Sequence, residues 1–267
     1  MGLGKKVRIK KVWSSKKSET LDDTIPSEEL LTIYLNSDKV TTLSCSPSSE
    51  IELTVGYLMT SGYLKEFKNI KTIEFCEDSQ EKGFVKKVKV QADEKIPETE
   101  LNKFISSGCG SIDDLILKEN SKKVASDKRI SSSAILDLSE KVLSNQRLKK
   151  QFGGLHSGVL FDTSGNIIVQ REDIGRHNCL DKVIGHCFIK KIDITEGFIY
   201  TTGRVSFDVV LKISNVNIPC LITNSSVTES AVRAASAAGI SLVGYCRGKR
   251  FNIYNDLDRI DIDHKIS

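Results

Sequence analysis

The apolar positions of the second half of the chain alternate between two periods. Ile167, Ile168 and Val169 form a β-branched run of the kind a buried strand carries. Leu180, Val183, Ile184, Cys187 and Phe188 follow at helical spacing, with Asn178 placed as N-cap. The alternation then repeats. A strand over Gly197–Thr202 precedes a helix carrying Val209, Val210 and Ile213, and a strand over Pro219–Thr223 precedes an Ala-rich helix capped by Thr228 and stopped by Gly239. A strand over Ile240–Tyr245 and an edge strand over Phe251–Tyr254 complete the pattern. Upstream, His156 opens a strand through Val159–Phe161, and Asp162–Asn166 reads as a hairpin turn. Strands that alternate with helices predict an α/β core with a mainly parallel sheet in three layers.

The first half is patterned differently. Leu30–Leu35 and Val40–Leu43 read as strands around a turn at Asn36-Ser37-Asp38. Glu50–Met59 reads as a helix closed by Gly62, and Phe84–Val90 as a half-buried strand with lysines on its wet side. These make a small α+β lobe. Ile135, Leu136, Leu138, Val142 and Leu143 fit a connecting helix capped by Asp137 or Ser139. The expected organisation is therefore a mobile basic arm over 1–25, an N-terminal lobe over 26–117, a linker and helix over 118–150 with an exposed or mobile 118–133, and the α/β core over 151–258.

Charge narrows the classes of partner. A net charge of +4 on 267 residues suits an anionic small molecule or an acidic patch and gives no footprint for nucleic acid. No run is long and apolar enough for a membrane span or a signal peptide, and the first residues lack the myristoylation pattern, so a cytoplasmic, soluble chain is expected. Seven cysteines are scattered without disulfide-scaffold spacing, which reads as reduced thiols that serve mostly as small core residues.

Chemistry concentrates in the run Gln170–Gly185, which holds Arg171, Arg176 and Lys182, three acids, His177, Asn178 and Cys179 where a strand hands over to a helix. Arg204, Asn224, Ser225, Ser226 and Arg247 also fall just past strand ends, as do Glu172 and Asp173. In a parallel sheet such ends share one rim, and guanidiniums, hydroxyls and helix N-termini gathered there describe a site for a phosphate-rich ligand. A second candidate is Cys109, flanked by Gly108 and Gly110 ahead of a helix start marked by Ser111 and Asp114. A helix N-terminus favours a thiolate, while Asp113 and Asp114 oppose one, so a reactive thiol and a plain Gly-rich turn both remain open. His156 and His177 stand either as steering groups or as structural hydrogen bonders. A zinc deaminase, prompted by Pro219-Cys220, lacks its motif, because Thr223 stands where a second cysteine is needed and no histidine is followed by x-Glu.

Residues 153–254 resemble the FdhD/NarQ family of formate dehydrogenase accessory sulfurtransferases. The resemblance is carried by Gly153-Gly-Leu-His-Ser157, Arg171-Glu-Asp-Ile-Gly-Arg-His-Asn178 with Leu180-Asp-Lys-Val183, Thr202-Gly-Arg-Val-Ser-Phe207, and Leu242-Val-Gly-Tyr-Cys-Arg-Gly-Lys-Arg-Phe-Asn-Ile-Tyr254. It is weaker in the first half, through Glu52-Leu53, Gly56-Tyr-Leu-Met59 and Ser106-Ser-Gly-Cys-Gly110. It implies a cytidine-deaminase-like core, a homodimer, and a sulfur relay. In that relay a cysteine desulfurase loads a loop cysteine, here Cys109, with persulfide sulfur. The sulfur then passes to a molybdenum bis-molybdopterin guanine dinucleotide cofactor before apo formate dehydrogenase receives it. The segment Arg250, Phe251, Asn252, Ile253, Tyr254, Asn255 would contact the cofactor, together with Arg247 and Arg204 on the rim, and no metal of the protein's own is implied. Many members carry a C-x-x-C pair in the loop. This chain has Cys109 alone there, which implies either a single persulfide or a cofactor chaperone without sulfur transfer.

Overall fold

The computed structural model describes residues 2–77, 85–94 and 123–262. Two sheets and a set of helices between them make the body. The N-terminal lobe holds β3 (Glu29–Leu35), β4 (Asp38–Cys45), β5 (Ile70–Glu77) and β6 (Val85–Ala92) in the order β4-β3-β6-β5, with α1 (Glu50–Thr60) packed on it. β3 and β4 form the expected hairpin, and Lys89 lies on the wet side of β6 between buried Val88 and Val90.

The larger sheet has six strands: β8 (His156–Phe161), β9 (Ile167–Asp173), β10 (Phe198–Thr201), β11 (Cys220–Thr223), β12 (Ser241–Arg247) and β13 (Arg250–Asn255), in the order β13-β12-β11-β10-β8-β9. Only β10–β11 and β11–β12 pair in parallel; the other three pairings are antiparallel. The sheet is therefore mixed, not mainly parallel. The departure has a local cause. β8 and β9 are joined by the tight Asp162–Asn166 turn and β12 and β13 by Gly248-Lys249, and so short a link can only reverse the chain.

Side chains alternate between the two faces of this sheet. Val159, Phe161, Phe198, Tyr200, Ile222 and Val243 face α2 (Ser132–Asn145), which contributes Ile135, Leu138 and Val142 at helical spacing. Leu160, Val169, Ile199, Leu221 and Leu242 face α4 (Arg176–Lys190), α5 (Phe207–Asn215) and α6 (Glu229–Ala238). The second cluster continues without a break into Leu31, Ile33, Leu53 and Leu58, so the two lobes share one hydrophobic core. A short α3 (Arg147–Phe152) links α2 to β8.

Three expectations change. Residues 4–26 are an antiparallel ribbon, β1 (Gly4–Val12) with β2 (Ser18–Pro26), where an unstructured arm was expected. Paired positions put Val7, Ile9, Leu21 and Ile25 on one face, a period-2 pattern hidden in sequence by the intervening lysines. Within the expected linker, residues 123–131 are tied down. The buried guanidinium of Arg259 donates to the carbonyls of Val124, Ser126, Pro219 and Gly239, and β7 (Ile130–Ser131) pairs with β14 (Ile260–Asp261). Residues 118–122 lie outside the described residues. Finally, α2 is capped by Ser131, whose hydroxyl accepts from the Ala134 N–H. Asp137 and Ser139 lie inside the helix, and Ser139 donates instead to the Cys246 carbonyl.

The lobes meet where α1 crosses α4. An added Cβ at Gly56 would fall 1.8 Å from the Asp181 carbonyl oxygen, and one at Gly185 would fall 1.8 Å from that of Glu52. Each helix thus presents a glycine to the other's backbone. Helix propensity alone makes Gly→Ala favourable by about 1 kcal/mol, whereas forcing a methyl into a closed contact costs about 1–3 kcal/mol or more. Gly185→Ala is expected to destabilise the protein by about 2 kcal/mol, read as a lower urea midpoint at constant m-value. A midpoint equal to or above that of the parent would contradict the crossing described here.

Candidate functional site: a cationic rim

The ends of β10, β11 and β12 share one edge of the large sheet, together with the start of β8 and the end of β9, where His156 pairs with Asp173. The loops that leave this edge are held by buried threonines. The Thr201 hydroxyl accepts from the Gly203 N–H, the Thr202 hydroxyl accepts from the Ser157 N–H, and the Thr223 hydroxyl donates to the Gly203 carbonyl while accepting from the Ser225 N–H. The two loops also zip together: Val205 N–H donates to the Ser226 carbonyl and Thr228 N–H to the Val205 carbonyl. Satisfied backbone groups of this kind fix the loops before any ligand arrives.

Between them opens a cavity of about 350 Å³ lined by His156, Arg176, Thr202, Arg204, Ser225 and Ser226. Arg176 begins α4, and Gly203 lets it approach, since a Cβ there would lie 2.6 Å from the Arg176 Cβ. Its Nε is buried without a hydrogen-bond partner, and neither Arg176 nor Arg204 has an acid partner among the described residues. The N-termini of α4 and α5 carry no side-chain cap, and the buried Ser206 hydroxyl at the latter is also unpartnered. Unpaired guanidiniums and open helix N-termini have a single chemical preference, an oxyanion such as phosphate.

The acids of the Gln170–Gly185 run are all engaged elsewhere. Glu172 accepts from the Leu148 and Lys149 N–H groups at the start of α3. Asp173 forms a fully buried ion pair with Lys182 at 2.5 Å and accepts from the Gly175 and Ser46 N–H groups and from Asn178 Nδ2. Lys182 also donates to the Ser46 carbonyl. Asp181 pairs with Lys212 and Thr60, and Arg171 grips Glu52 with both arms of its guanidinium. Burial raises Asp181, whereas the Arg171 and His186 hydrogen bonds hold the Glu52 carboxyl down to about 2.

Most of the charge in the Gln170–Gly185 run therefore joins the two lobes, and only Arg176 from it lines the cavity. Asn178, expected to cap α4, lies in its first turn and donates to Asp173 and to the Ser44 carbonyl; Gly175 is the N-cap. Starting the helix at Asn178 in sequence moved Arg176 out of the first turn, which is why it was missed as a site residue. Recognition that Gly175 leaves the backbone donors free would have found it.

Of the expected ligand residues, Arg204, Ser225 and Ser226 line the cavity. Asn224 supports its loop through its N–H to the Thr201 carbonyl. Arg247 ends β12 with its guanidinium 5.5 Å from the Tyr245 ring centroid, and Arg250 pairs opposite it at the same edge. From there β13 runs away from the rim. Phe251 and Ile253 pack against the core on the α2 side, Asn252 and Tyr254 lie on the other face, and Asn255 donates to the Ile240 carbonyl at the far end. Cys109 lies outside the described residues.

Five of the other thiols, Cys45, Cys179, Cys187, Cys220 and Cys246, are poor nucleophiles. Burial pushes Cys45, Cys187 and Cys220 up to about 12 and Cys246 to about 11, and raises Cys179 as well; Cys76 is half-exposed. Among the described residues no three His, Cys, Asp or Glu side chains cluster as metal ligands, and none of the helices is long and apolar enough to cross a membrane.

The fold and the rim define an α/β protein with a preformed, arginine-lined pocket at one edge of its large sheet. The FdhD/NarQ family profile matches residues 26–261, and the chain belongs to that family. It is 33% identical to the sulfur carrier protein FdhD of Sulfolobus acidocaldarius over 97% of this chain and 99% of that one. It is 30% identical to the protein of the same name from Bacillus subtilis, covering 94% and 97%. The crystal structure of a Desulfotalea psychrophila protein assigned as a formate dehydrogenase accessory protein superposes with a TM-score of 0.77 at 25% identity, over 97% of this chain and all of that one.

The two rim histidines are held neutral. Burial first, then the cations Lys149 and Arg176, lowers His156; burial, then Arg176 and Lys212, lowers His177 to about 4. A folded-state value below the unfolded 6.5 means that the unfolded chain takes the proton first. Stability is thus unaffected by this group above about pH 6.5 and falls as pH drops from there toward about 4. His177→Gln is expected to shrink the loss of denaturation midpoint between neutral pH and pH 4.5 or so. An undiminished loss would show that His177 is not the buried neutral group described.

Proposed function

We propose that this chain is the sulfur carrier that formate dehydrogenase maturation requires. A cysteine desulfurase loads Cys109, and the sulfur passes to a molybdenum bis-molybdopterin guanine dinucleotide cofactor before apo formate dehydrogenase takes it up. In the loading step the Cys109 thiolate attacks the terminal sulfur of the donor persulfide; that S–S bond breaks, the donor leaves as thiolate, and Cys109 keeps the new S–SH group. The observation that carries the reading is the cavity between Arg176 and Arg204, a cationic pocket without acids in a member of this family. A pyrophosphate-bearing cargo needs such a place.

Arg204, Arg247 and the segment Arg250–Asn255 are the proposed cofactor contacts, with Arg250, Arg247 and Arg204 nearest the phosphates by their position at the rim. The exposed Val12, Trp13 and Ile25 of the N-terminal ribbon support a homodimer, because exposed apolar side chains of this size favour a covering partner. The central β10-β11-β12 unit with helices on both faces supports the cytidine-deaminase-like reading of the core, and a cytoplasmic location fits a desulfurase partner.

The carrier role is tested at Cys109. After incubation with a desulfurase and cysteine, mass spectrometry should find a gain of one sulfur on the peptide containing Cys109, and Cys109→Ala should leave a strain lacking its own copy without formate dehydrogenase activity. Full activity from Cys109→Ala would leave a cofactor-binding chaperone in place of a carrier. Independently, Arg176→Gln combined with Arg204→Gln should weaken guanine-nucleotide binding by about a hundredfold or more, since charge-assisted contacts contribute roughly 1.5–3 kcal/mol each.

A further inference from the structure

We propose that Tyr245 is the base-recognition residue of the rim: its ring stacks on the purine of a nucleoside diphosphate whose phosphates fill the Arg176/Arg204 cavity. The proposal rests on the binding reading above and adds the residue that selects the ligand's planar end. It begins with a backbone cost. Tyr245 has φ 51°, in the left-handed region, and is the one aromatic among the described non-glycine residues with positive φ. A bulky side chain is an outlier there, whereas glycine would be free of strain, and strain of this kind collects at ligand clamps. The conformation is imposed by an irregularity of β12 between Gly244 and Arg247 and by the Tyr245 N–H, which donates to the Ser225 carbonyl at 2.9 Å. Nothing in that arrangement calls for a side chain.

Nor does packing call for one. Tyr245 belongs to neither hydrophobic cluster, although its neighbours Val243 and Cys246 are fully buried in one of them. Its ring is half-buried, and its hydroxyl has no hydrogen-bond partner among the described residues. The Arg247 guanidinium lies over the ring, 5.5 Å from its centroid. An aromatic ring kept in a strained backbone position, outside the core and braced by an arginine, is suited to stacking on a planar ligand. Its position identifies that partner. Ser225 accepts from the Tyr245 N–H and also lines the cavity, so the Tyr245 backbone is one hydrogen bond from the phosphate site. A ligand with phosphate in the cavity and a planar heterocycle beside it is a nucleotide, and stacking of a base on an aromatic ring is the standard contact.

Calorimetry with GDP and with inorganic pyrophosphate, on the full chain and on Tyr245→Phe and Tyr245→Gly, separates the contributions. The parent should bind GDP more tightly than pyrophosphate, and Tyr245→Phe should match it. Tyr245→Gly should lose about tenfold or more for GDP, as removal of one stacked base does, and keep its pyrophosphate affinity. Its thermal midpoint should equal or exceed the parent's, because glycine relieves the strained φ. If Tyr245→Gly binds GDP as well as the parent does, or loses both ligands equally, the proposal is overturned while the cavity reading stands. A parent protein that binds neither probe would overturn both.

Discussion

One buried ion pair sets the geometry of the whole molecule. Asp173 and Lys182 are both completely shielded from solvent. Withdrawal of each charge from water costs several kcal/mol, so such a pair persists only when every lone pair and proton is matched. Here they are. Asp173 accepts from Lys182, Asn178 and the Ser46 and Gly175 N–H groups, and Lys182 donates to Asp173, to the Ser46 carbonyl and toward the Ser48 hydroxyl. Ser46 follows β4 in the N-terminal lobe, whereas Asp173 ends β9 and Lys182 lies on α4. The network therefore has its full set of partners only in one relative placement of the two lobes. The glycine contact between α1 and α4 acts in the same sense, because a helix seated on another's backbone has little freedom to slide.

That placement determines the rim. With Asp173 committed to Lys182 and Gly175 committed to Asp173, α4 begins at Arg176, which lines the cavity, and no side chain caps its N-terminus. The acids of the same run are used in structural pairs, so the cavity keeps its positive potential instead of neutralising it internally. The neutral state of His156 and His177 follows from the same field, since a third and fourth positive charge beside Arg176 would be repelled as well as desolvated. Both rings remain able to donate and accept hydrogen bonds at neutral pH, which suits an anion whose own protons vary.

Much of the fold was legible in sequence because period and capping agree. The helices over Phe207–Asn215 and Glu229–Ala238, the latter with Thr228 as its cap, follow from apolar spacing, and so do the strands between them. The misreadings share a cause. Strand direction is not encoded in local hydrophobicity, so the sheet read as mainly parallel even though the Asp162–Asn166 hairpin was legible; three of its five pairings are antiparallel. The ribbon over residues 4–26 has few apolar residues, and its alternation appears only when both strands are aligned. Asn178 is a good cap in isolation, yet its amide is worth more in the cold interior of the Asp173 network than at a helix end. The charged run was rightly located at a strand-to-helix junction, but sequence alone could not tell charges that join lobes from charges that wait for a ligand. That distinction depends on partners more than a hundred residues away, such as Glu52 for Arg171 and Ser46 for Asp173.

Sulfur chemistry imposes a further condition on this architecture, that most of its thiols stay out of it. Exchange proceeds through the thiolate. A thiol held near 12, as burial holds Cys45, Cys187 and Cys220, is ionised at pH 7 in roughly one molecule per hundred thousand. Those side chains can therefore serve as small, dense core residues without taking part in thiol exchange. Cys179 shows how far this goes: it sits on α4 only three residues from Arg176, yet it is wholly buried and its thiol is raised by burial and by the nearby carboxylates Asp173 and Asp181. The carboxylates that hold the lobes together thus also keep this cysteine protonated. In this way one set of interactions sets Arg176 at the rim while it adds to the burial that keeps the Cys179 thiol protonated.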